Sequence, residues 1–211
     1  NNFAVDGSAI LIDGEGIVEN CIFVNNSVGS AVFIEEEGKL ENCIFVNNSA
    51  EQYGGAVILD SSGTIQNCNF TDNQAEIDGG AIYIEVYGIV ENCIFVNNNA
   101  TRYGGAICFY EEGDVTDCIF VNNSAKVGGA LLIFENADVT NCNFTNNAAS
   151  SRAGAVYFNM GGEVTDCIFT NNTAGDYGGA VWFTYEGIVE NCIFVNNNAA
   201  QDGGAVYFYS D

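Results

Sequence analysis

A cysteine repeat constrains the fold of this chain more than any other feature of its sequence. Eight cysteines recur at intervals of 22, 25, 25, 25, 24, 25 and 25 residues: Cys21, Cys43, Cys68, Cys93, Cys118, Cys142, Cys167 and Cys192. An alanine inside a Gly-Gly-Ala-Val-like tetrad recurs in the same phase, from Ala9 to Ala205. A fixed period of this length is typical of solenoids, in which each repeat buries its apolar side only against copies of itself.

The composition of one repeat predicts strands and turns. Short runs of β-branched and aromatic residues alternate with Asn-Asn and Gly-Gly pairs, and no helical periodicity is present. We therefore predict an all-β fold, a right-handed parallel β-helix of about eight coils with about 25 residues each. Residues 1–211 are expected to form a single β-solenoid domain with no evident caps.

The alternation of side chains along each strand predicts which of them point inward. A cysteine and the phenylalanine two residues later, such as Cys43 and Phe45, should face the interior. In-register Cβ atoms about 4.8 Å apart exceed the roughly 3.8 Å that a disulfide prefers, so the eight repeated cysteines are predicted to form a ladder of buried free thiols. Cys108 belongs to another column and is expected to be the thiol that faces outward.

The Asn-Asn pairs invite a ligand-binding interpretation, but a structural role is favoured. One asparagine of each pair can turn inward at a corner and bond its counterparts above and below, which satisfies backbone groups. The predicted ladder contains Asn26, Asn48, Asn73, Asn98, Asn123, Asn147, Asn172 and Asn197.

A stripe of apolar residues is expected on the outside. If Val32 and Ile34 face inward, the residue between them faces outward. Contiguous exposed apolar surface usually marks an interface, although β-branched residues also favour strands for local reasons. The predicted assembly or binding stripe, which Cys108 interrupts, contains Phe33, Ile58, Tyr83, Leu132, Tyr157, Trp182 and Tyr207. A second outward column, typified by Ile22 and Val24, runs along the other strand.

Charge and composition restrict the partners and the chemistry. The net charge of −24, from 28 acidic against 4 basic residues, disfavours nucleic acid and anionic lipid as partners. Histidine is absent, which removes the commonest general base and zinc ligand. No apolar run is long enough to predict a membrane span. We expect no enzyme activity and no cofactor, while weak calcium binding by the acidic turn edges is left open.

Seven Asn-x-Ser/Thr sequons occur in the chain, and most coincide with the asparagine turns. Asn69 and Asn143 instead replace the outward isoleucine of other coils, so a glycan there would meet solvent without disturbing the core. These two are the candidate glycosylation sites.

The pairing of Phe-x-x-Asn, as in Phe23 to Asn26, with Gly-Gly-Ala-Val or Gly-Gly-Ala-Ile resembles two groups of repeats over the whole chain. One is found in the chlamydial polymorphic outer-membrane proteins, and the other in the adhesin-like surface proteins of methanogenic archaea. The resemblance implies a secreted β-helical passenger or surface fibre involved in adhesion. The chlamydial proteins carry a membrane-barrel segment that this chain lacks, which favours the archaeal variant.

These observations predict an extracellular or cell-surface structural protein. It is expected to form or decorate a filament by head-to-tail stacking on copies of itself, because uncapped strand edges tend to pair. A fragment boundary within a longer protein is the alternative explanation for such ends. The second functional hypothesis is an adhesin that binds a glycan or a neighbouring cell through the aromatic stripe, and the third is a polysaccharide-active enzyme.

Overall fold

The computed structural model describes residues 2–209, which form one continuous parallel β-solenoid that contains no helix in this range. The chain winds through 34 short strands, numbered β1 to β34 in chain order, and these assemble into four parallel sheets that run along the axis. The predicted fold class and the coil length of about 25 residues are therefore confirmed.

Sheets I and II hold nine strands each. Sheet I contains β1 (Phe3–Ala4), β5 (Ser27–Val28), β9 (Ser49–Ala50), β13 (Gln74–Ala75), β17 (Asn99–Ala100), β21 (Ser124–Val127), β25 (Ala148–Arg152), β29 (Thr173–Ala174) and β33 (Asn198–Ala199). Sheet II contains β2 (Ile10–Ile12), β6 (Val32–Ile34), β10 (Val57–Leu59), β14 (Ile82–Ile84), β18 (Ile107–Phe109), β22 (Leu131–Ile133), β26 (Val156–Phe158), β30 (Val181–Phe183) and β34 (Val206–Phe208).

Sheets III and IV hold eight strands each. Sheet III contains β3 (Gly16–Glu19), β7 (Gly38–Glu41), β11 (Ser62–Gln66), β15 (Tyr87–Glu91), β19 (Glu112–Thr116), β23 (Asn136–Thr140), β27 (Gly161–Thr165) and β31 (Ile188–Glu190). Sheet IV contains β4 (Ile22–Val24), β8 (Ile44–Val46), β12 (Asn69–Thr71), β16 (Ile94–Val96), β20 (Ile119–Val121), β24 (Asn143–Thr145), β28 (Ile168–Thr170) and β32 (Ile193–Val195).

The register places equivalent residues of successive coils on top of one another. Phe70 pairs with Phe45 on one side and with Phe95 on the other. From Phe23 to Phe194, the phenylalanine rings of this column stack with centroids 4.7 to 5.0 Å apart. This is the spacing of hydrogen-bonded strands, so one backbone ladder sets both the coil rise and the aromatic stacking.

Asparagine and aspartate turn the chain at two corners of each coil. The residue before the repeated cysteine, such as Asn92, has φ near 51°, and the first residue of the Asn-Asn pair, such as Asn97, has φ near 57°. Both residue types tolerate this left-handed conformation because their short polar side chains bond locally. The corners thus require Asn or Asp at fixed positions, which explains much of the repeat.

The Gly-Gly pair makes the third sharp turn, and glycine is needed at its two positions for different reasons. Gly104 has φ of 59°, a left-handed conformation that glycine adopts without steric cost. A Cβ on Gly105 would lie 2.1 Å from the carbonyl oxygen of Gly129 in the next coil. Only glycine allows the two backbones to approach so closely.

The predicted asparagine ladder is confirmed as part of the core. Asn98 Nδ2 donates to Asn123 Oδ1 at 3.0 Å and to the carbonyl oxygen of Phe70 at 3.1 Å. The backbone N–H of Asn98 donates to the same Asn123 Oδ1 at 2.9 Å. The pattern repeats from Asn26 to Asn197, so polar groups that the corners leave inside the solenoid are paired.

Candidate functional site

The aromatic stripe on the outer side of sheet II is largely buried, and the prediction that it is exposed was wrong. Cys108 is 0% exposed, Leu132 1% and Trp182 3%, and Tyr83 and Tyr157 are also buried. Phe33, Ile58 and Tyr207 are partly buried. The expected outward thiol of Cys108 is therefore inaccessible, and the column forms a second hydrophobic cluster outside the solenoid.

A ladder of loop residues covers this stripe. In six successive coils, two or three residues directly precede the glycine turn, and we call these the cover segments: 51–53, 76–78, 101–103, 126–127, 150–152 and 175–177. Residues 126–127 and 150–152 are also the last residues of strands β21 and β25. Their last residues pair in parallel from Tyr53 through Asp78, Tyr103, Val127 and Arg152 to Tyr177. Alternation along sheet II predicts that its outer side chains leave the solenoid, but it carries no information about a loop that folds back over them.

Side chains of the cover segments pack on the stripe, either in their own coil or in the following one. The ring of Tyr53 stacks on that of Tyr83 with centroids 4.8 Å apart, and Tyr177 lies 5.7 Å from Trp182. The guanidinium of Arg152 lies over the Trp182 ring, 5.1 Å from its centroid. These contacts combine apolar burial with a cation–π interaction.

Polar atoms of the stripe find hydrogen-bond partners beside the second cluster. Trp182 Nε1 donates to Thr184 Oγ1 at 2.9 Å, and Thr184 Oγ1 donates to the Tyr157 hydroxyl oxygen at 2.9 Å. Burial raises the pKa of the Tyr83 phenol, and its hydrogen bond with Glu85 raises that pKa further. Burial also raises the pKa of the Cys108 thiol well above its ordinary value. The cluster thus holds these groups in their neutral forms at neutral pH.

One coil lacks a cover segment, and a cleft of about 290 Å³ lies beside that coil. Four residues lie between Asn26 and Ala31, whereas seven lie between Asn48 and Ala56, so three residues are missing. The backbone nevertheless stays in register, because Gly29 N donates to Ala4 O at 2.8 Å and Glu51 N donates to Val28 O at 2.8 Å. The 22-residue interval between the first two repeated cysteines is the sequence signal of this gap.

The cleft has an apolar floor and an acidic rim. Phe33, Ile58, Tyr53 and Tyr83 line it together with the buried residue Ser30. The carboxylates around its opening belong to Asp6, Glu51, Asp60 and Glu85. No lysine or arginine lines the cleft, so the local field favours a cation.

The pKa of a neighbouring carboxyl, that of Glu35, responds to this negative field. Partial desolvation and the nearby carboxylates of Asp13, Asp60 and Asp6 raise the pKa of the exposed Glu35 carboxyl above its ordinary value. Like charges that lie this close disfavour the ionised form. The carboxylates of Asp13, Asp60 and Asp6 therefore contribute to one local negative field.

All nine cysteines are free thiols, and the repeated ones line the interior as expected. The backbone N–H of Cys93 donates to the sulfur of Cys118 at 3.4 Å, and the Cys93 thiol donates to the carbonyl oxygen of Glu91 at 3.2 Å. Cys21 and Cys192, in the end coils, are partly accessible. Within the solenoid the thiols serve as small apolar core residues.

The outer face of sheet IV carries a column of exposed apolar side chains. Ile22, Ile94 and Ile193 project into solvent there, as predicted from alternation. Asn69 and Asn143 occupy the same column and are exposed, so both sequons are sterically open to a glycan. Whether either site is modified stays a prediction.

Two further observations concern metals and membranes. Within residues 2–209 no group of three or more His, Cys, Asp or Glu side chains converges as a metal site would. The described part of the chain also contains no helix with the length and apolarity needed to cross a membrane.

Comparison with known families identifies the fold. The model of a right-handed beta helix region matches residues 1–138. The chain belongs to the right-handed β-helix family. In this β-helix, residues 166–184 and 191–209 each match the Chlamydia polymorphic membrane protein repeat. No curated protein and no solved structure matched the chain. The two family matches point to a surface or outer-membrane-type protein.

Proposed function

We propose that this β-helix is a non-catalytic structural element of a cell-surface filament, extended by head-to-tail stacking of coils. The observation that carries the proposal is the parallel pairing of successive coils in four sheets, which leaves open strand edges at the two ends of the described rod. A coil added at either end would meet strands whose spacing and side-chain order are those of the interior.

The side chains of the end coils support stacking. Among the described strands, β34 pairs with β30 alone and β2 with β6 alone. Phe208 is 51% exposed in the last coil, whereas its counterpart Phe183 is fully buried. Pairing with further coils, supplied by a second copy or by the same polypeptide, would bury this apolar surface together with the open backbone edge.

A non-catalytic role is consistent with the chemistry of the chain. Histidine, the commonest general acid–base group, is absent, and the carboxylates, which could replace it, are mostly solvent-accessible. The alternative of an adhesin that binds glycans through the aromatic stripe loses its support, since the cover segments occupy that surface in the coils that have them.

Light scattering and electron microscopy of the purified chain test the proposal. We expect particles that lengthen with concentration in steps of about 40 Å, the height of nine strand layers. Phe208→Lys should stop growth, because it places a charge at the apolar end face, whereas Ile168→Lys on the exposed side of sheet IV should not. Single rods at every concentration, or equal disruption by both substitutions, would contradict head-to-tail stacking by this chain.

A further inference from the structure

The cleft beside the short coil is a built feature with no role in coil stacking. It lies on the flank of the rod, where the ladder of cover segments begins at Tyr53 and the coil of Val28 to Ser30 contributes no cover. Its walls are the first coil, through Val5 and Asp6, and the first cover segment. Because both walls are tied to the short coil by backbone hydrogen bonds, the cleft is preformed.

We propose that this cleft binds a small organic ammonium ion with an apolar body, such as an arylalkylamine. The carboxylates of Asp6, Glu51, Asp60 and Glu85 surround its opening, and none of the four basic residues of the chain lines it. A net charge of −24 adds a long-range attraction for cations. The charge of the ligand is thus set by the rim.

The floor determines the rest of the ligand. Phe33 and Ile58 are the stripe residues of the two coils nearest the gap, and the stacked rings of Tyr53 and Tyr83 complete the apolar surface. Aromatic faces attract ammonium groups through their quadrupoles and also pack on an apolar ring or chain. The volume of about 290 Å³ suits a ligand of roughly ten non-hydrogen atoms.

An unpaired hydroxyl at the floor is the independent sign of a ligand. Ser30 is 1% exposed, and its Oγ has no hydrogen-bond partner among the residues that the structure describes. Glycine occupies the equivalent position in later coils, as at Gly55 and Gly80, so the repeat itself does not require a serine. A buried hydroxyl without a partner is unfavourable, and a polar group at the far end of the ligand, such as the phenol of tyramine, would satisfy it.

Tyramine is a suitable probe, since it joins an aromatic ring to an ammonium group, and 4-ethylphenol is its neutral analogue. Isothermal titration calorimetry at low salt should show saturable binding of one tyramine per chain. The neutral 4-ethylphenol should bind at least about tenfold more weakly. The double substitution Asp60→Asn with Glu85→Gln should weaken tyramine about tenfold. Glu163→Gln with Glu186→Gln, far from the cleft, removes the same charge and should change little.

The sharpest variant closes the cleft with the protein's own sequence. Insertion of Glu-Gln-Tyr between Val28 and Gly29 restores the 25-residue spacing and copies residues 51–53, so it should abolish binding while the circular dichroism stays that of a β-solenoid. If the insertion does not fold, Ser30→Gly serves instead, with glycine already present at this position in later coils, and should weaken binding about threefold. The proposal is overturned if tyramine does not saturate, if 4-ethylphenol binds equally well, or if the folded insertion variant binds unchanged.

Discussion

Arg102 holds the buried carboxylate of Asp78 through two hydrogen bonds, from Nε to Oδ1 at 2.9 Å and from Nη2 to Oδ2 at 2.5 Å. Asp78 is 3% exposed, and the two residues belong to adjacent cover segments. The Arg102 guanidinium also lies 4.6 Å from the centroid of the Tyr103 ring. The pair therefore joins successive rungs of the ladder that covers the aromatic stripe.

Arg102→Ala should destabilise the protein by about 2 kcal/mol, because it leaves the Asp78 carboxylate buried without its partner. Urea unfolding at pH 7 measures the loss. Adding Asp78→Asn to this variant should recover part of the stability, since no charge then stays buried. Lys39→Ala is the matched control, because the Lys39–Glu41 pair is partly exposed on the surface and should contribute under about 0.5 kcal/mol. Equal effects of the two alanine substitutions would contradict the structural role of Asp78.

Thiol labelling distinguishes the covered stripe from the exposed stripe that the sequence predicted. In the native protein, iodoacetamide should reach only Cys21 and Cys192, which are partly accessible, and all nine cysteines should react in urea. Peptide mass spectrometry locates the modified residues. Rapid native labelling of Cys108 would show that the cover segments do not close over it.

Stability should fall as the pH rises above about 9, where an unfolded chain begins to ionise its cysteines and then its tyrosines. Burial raises the pKa of Cys108 and of Tyr83 in the folded state, so the folded protein retains protons that the unfolded chain releases. Below the pKa that such a group has in the unfolded chain, the free energy of unfolding does not change with pH on its account. Above that pKa, each group lowers the free energy of unfolding by about 1.4 kcal/mol per pH unit. Urea unfolding from pH 7 to 10 should show a shallower decline for Cys108→Ala, and an unchanged slope would refute the contribution of this thiol.

The asparagine ladder should tolerate little change at its centre. Asn98→Ala removes the acceptor for the backbone and side-chain N–H groups of Asn73 and the donor to the Phe70 carbonyl oxygen, at a cost of about 3 kcal/mol. Asn99→Ala is a suitable control, because Ala148 occupies the same column and the site is partly exposed. Thermal unfolding of both variants tests the difference, and similar melting temperatures would show that the ladder contributes little.

The second glycine of the Gly-Gly pair should resist substitution for steric reasons. Gly105→Ala places a methyl group 2.1 Å from the Gly129 carbonyl oxygen, which forces two coils apart and should cost at least about 3 kcal/mol. At Gly161 the nearest atom to an added methyl group is Asn136 Oδ1 at 3.1 Å, the end of a flexible side chain. Gly161→Ala should therefore fold with nearly normal stability. Similar unfolding midpoints for the two variants would be evidence against the close coil contact.

Most of the solenoid could be predicted from the repeat alone. Cys43 directly precedes strand β8 and Phe45 lies within it, two residues later, so alternation assigns both to the interior, and the fixed period stacks each on its counterpart. The same reasoning identified the inward asparagines, for which Asn48 is typical. These features depend on local strand geometry and on repetition, and both can be recognised from the order of residues in the sequence.

The sequence by itself determined the coil, its columns and the exposed face of sheet IV, because strand alternation and period specify which way each side chain points. Only the tertiary structure decided what lies over an outward side chain. Trp182 leaves the solenoid as predicted, yet Tyr177 and Arg152 from the cover ladder fold across it. The cleft at Ser30 has the same origin, since the three missing residues leave the pairing of β5 with its neighbours in register and uncover the surface beside it. Burial depends on neighbours in space, which strand periodicity does not encode.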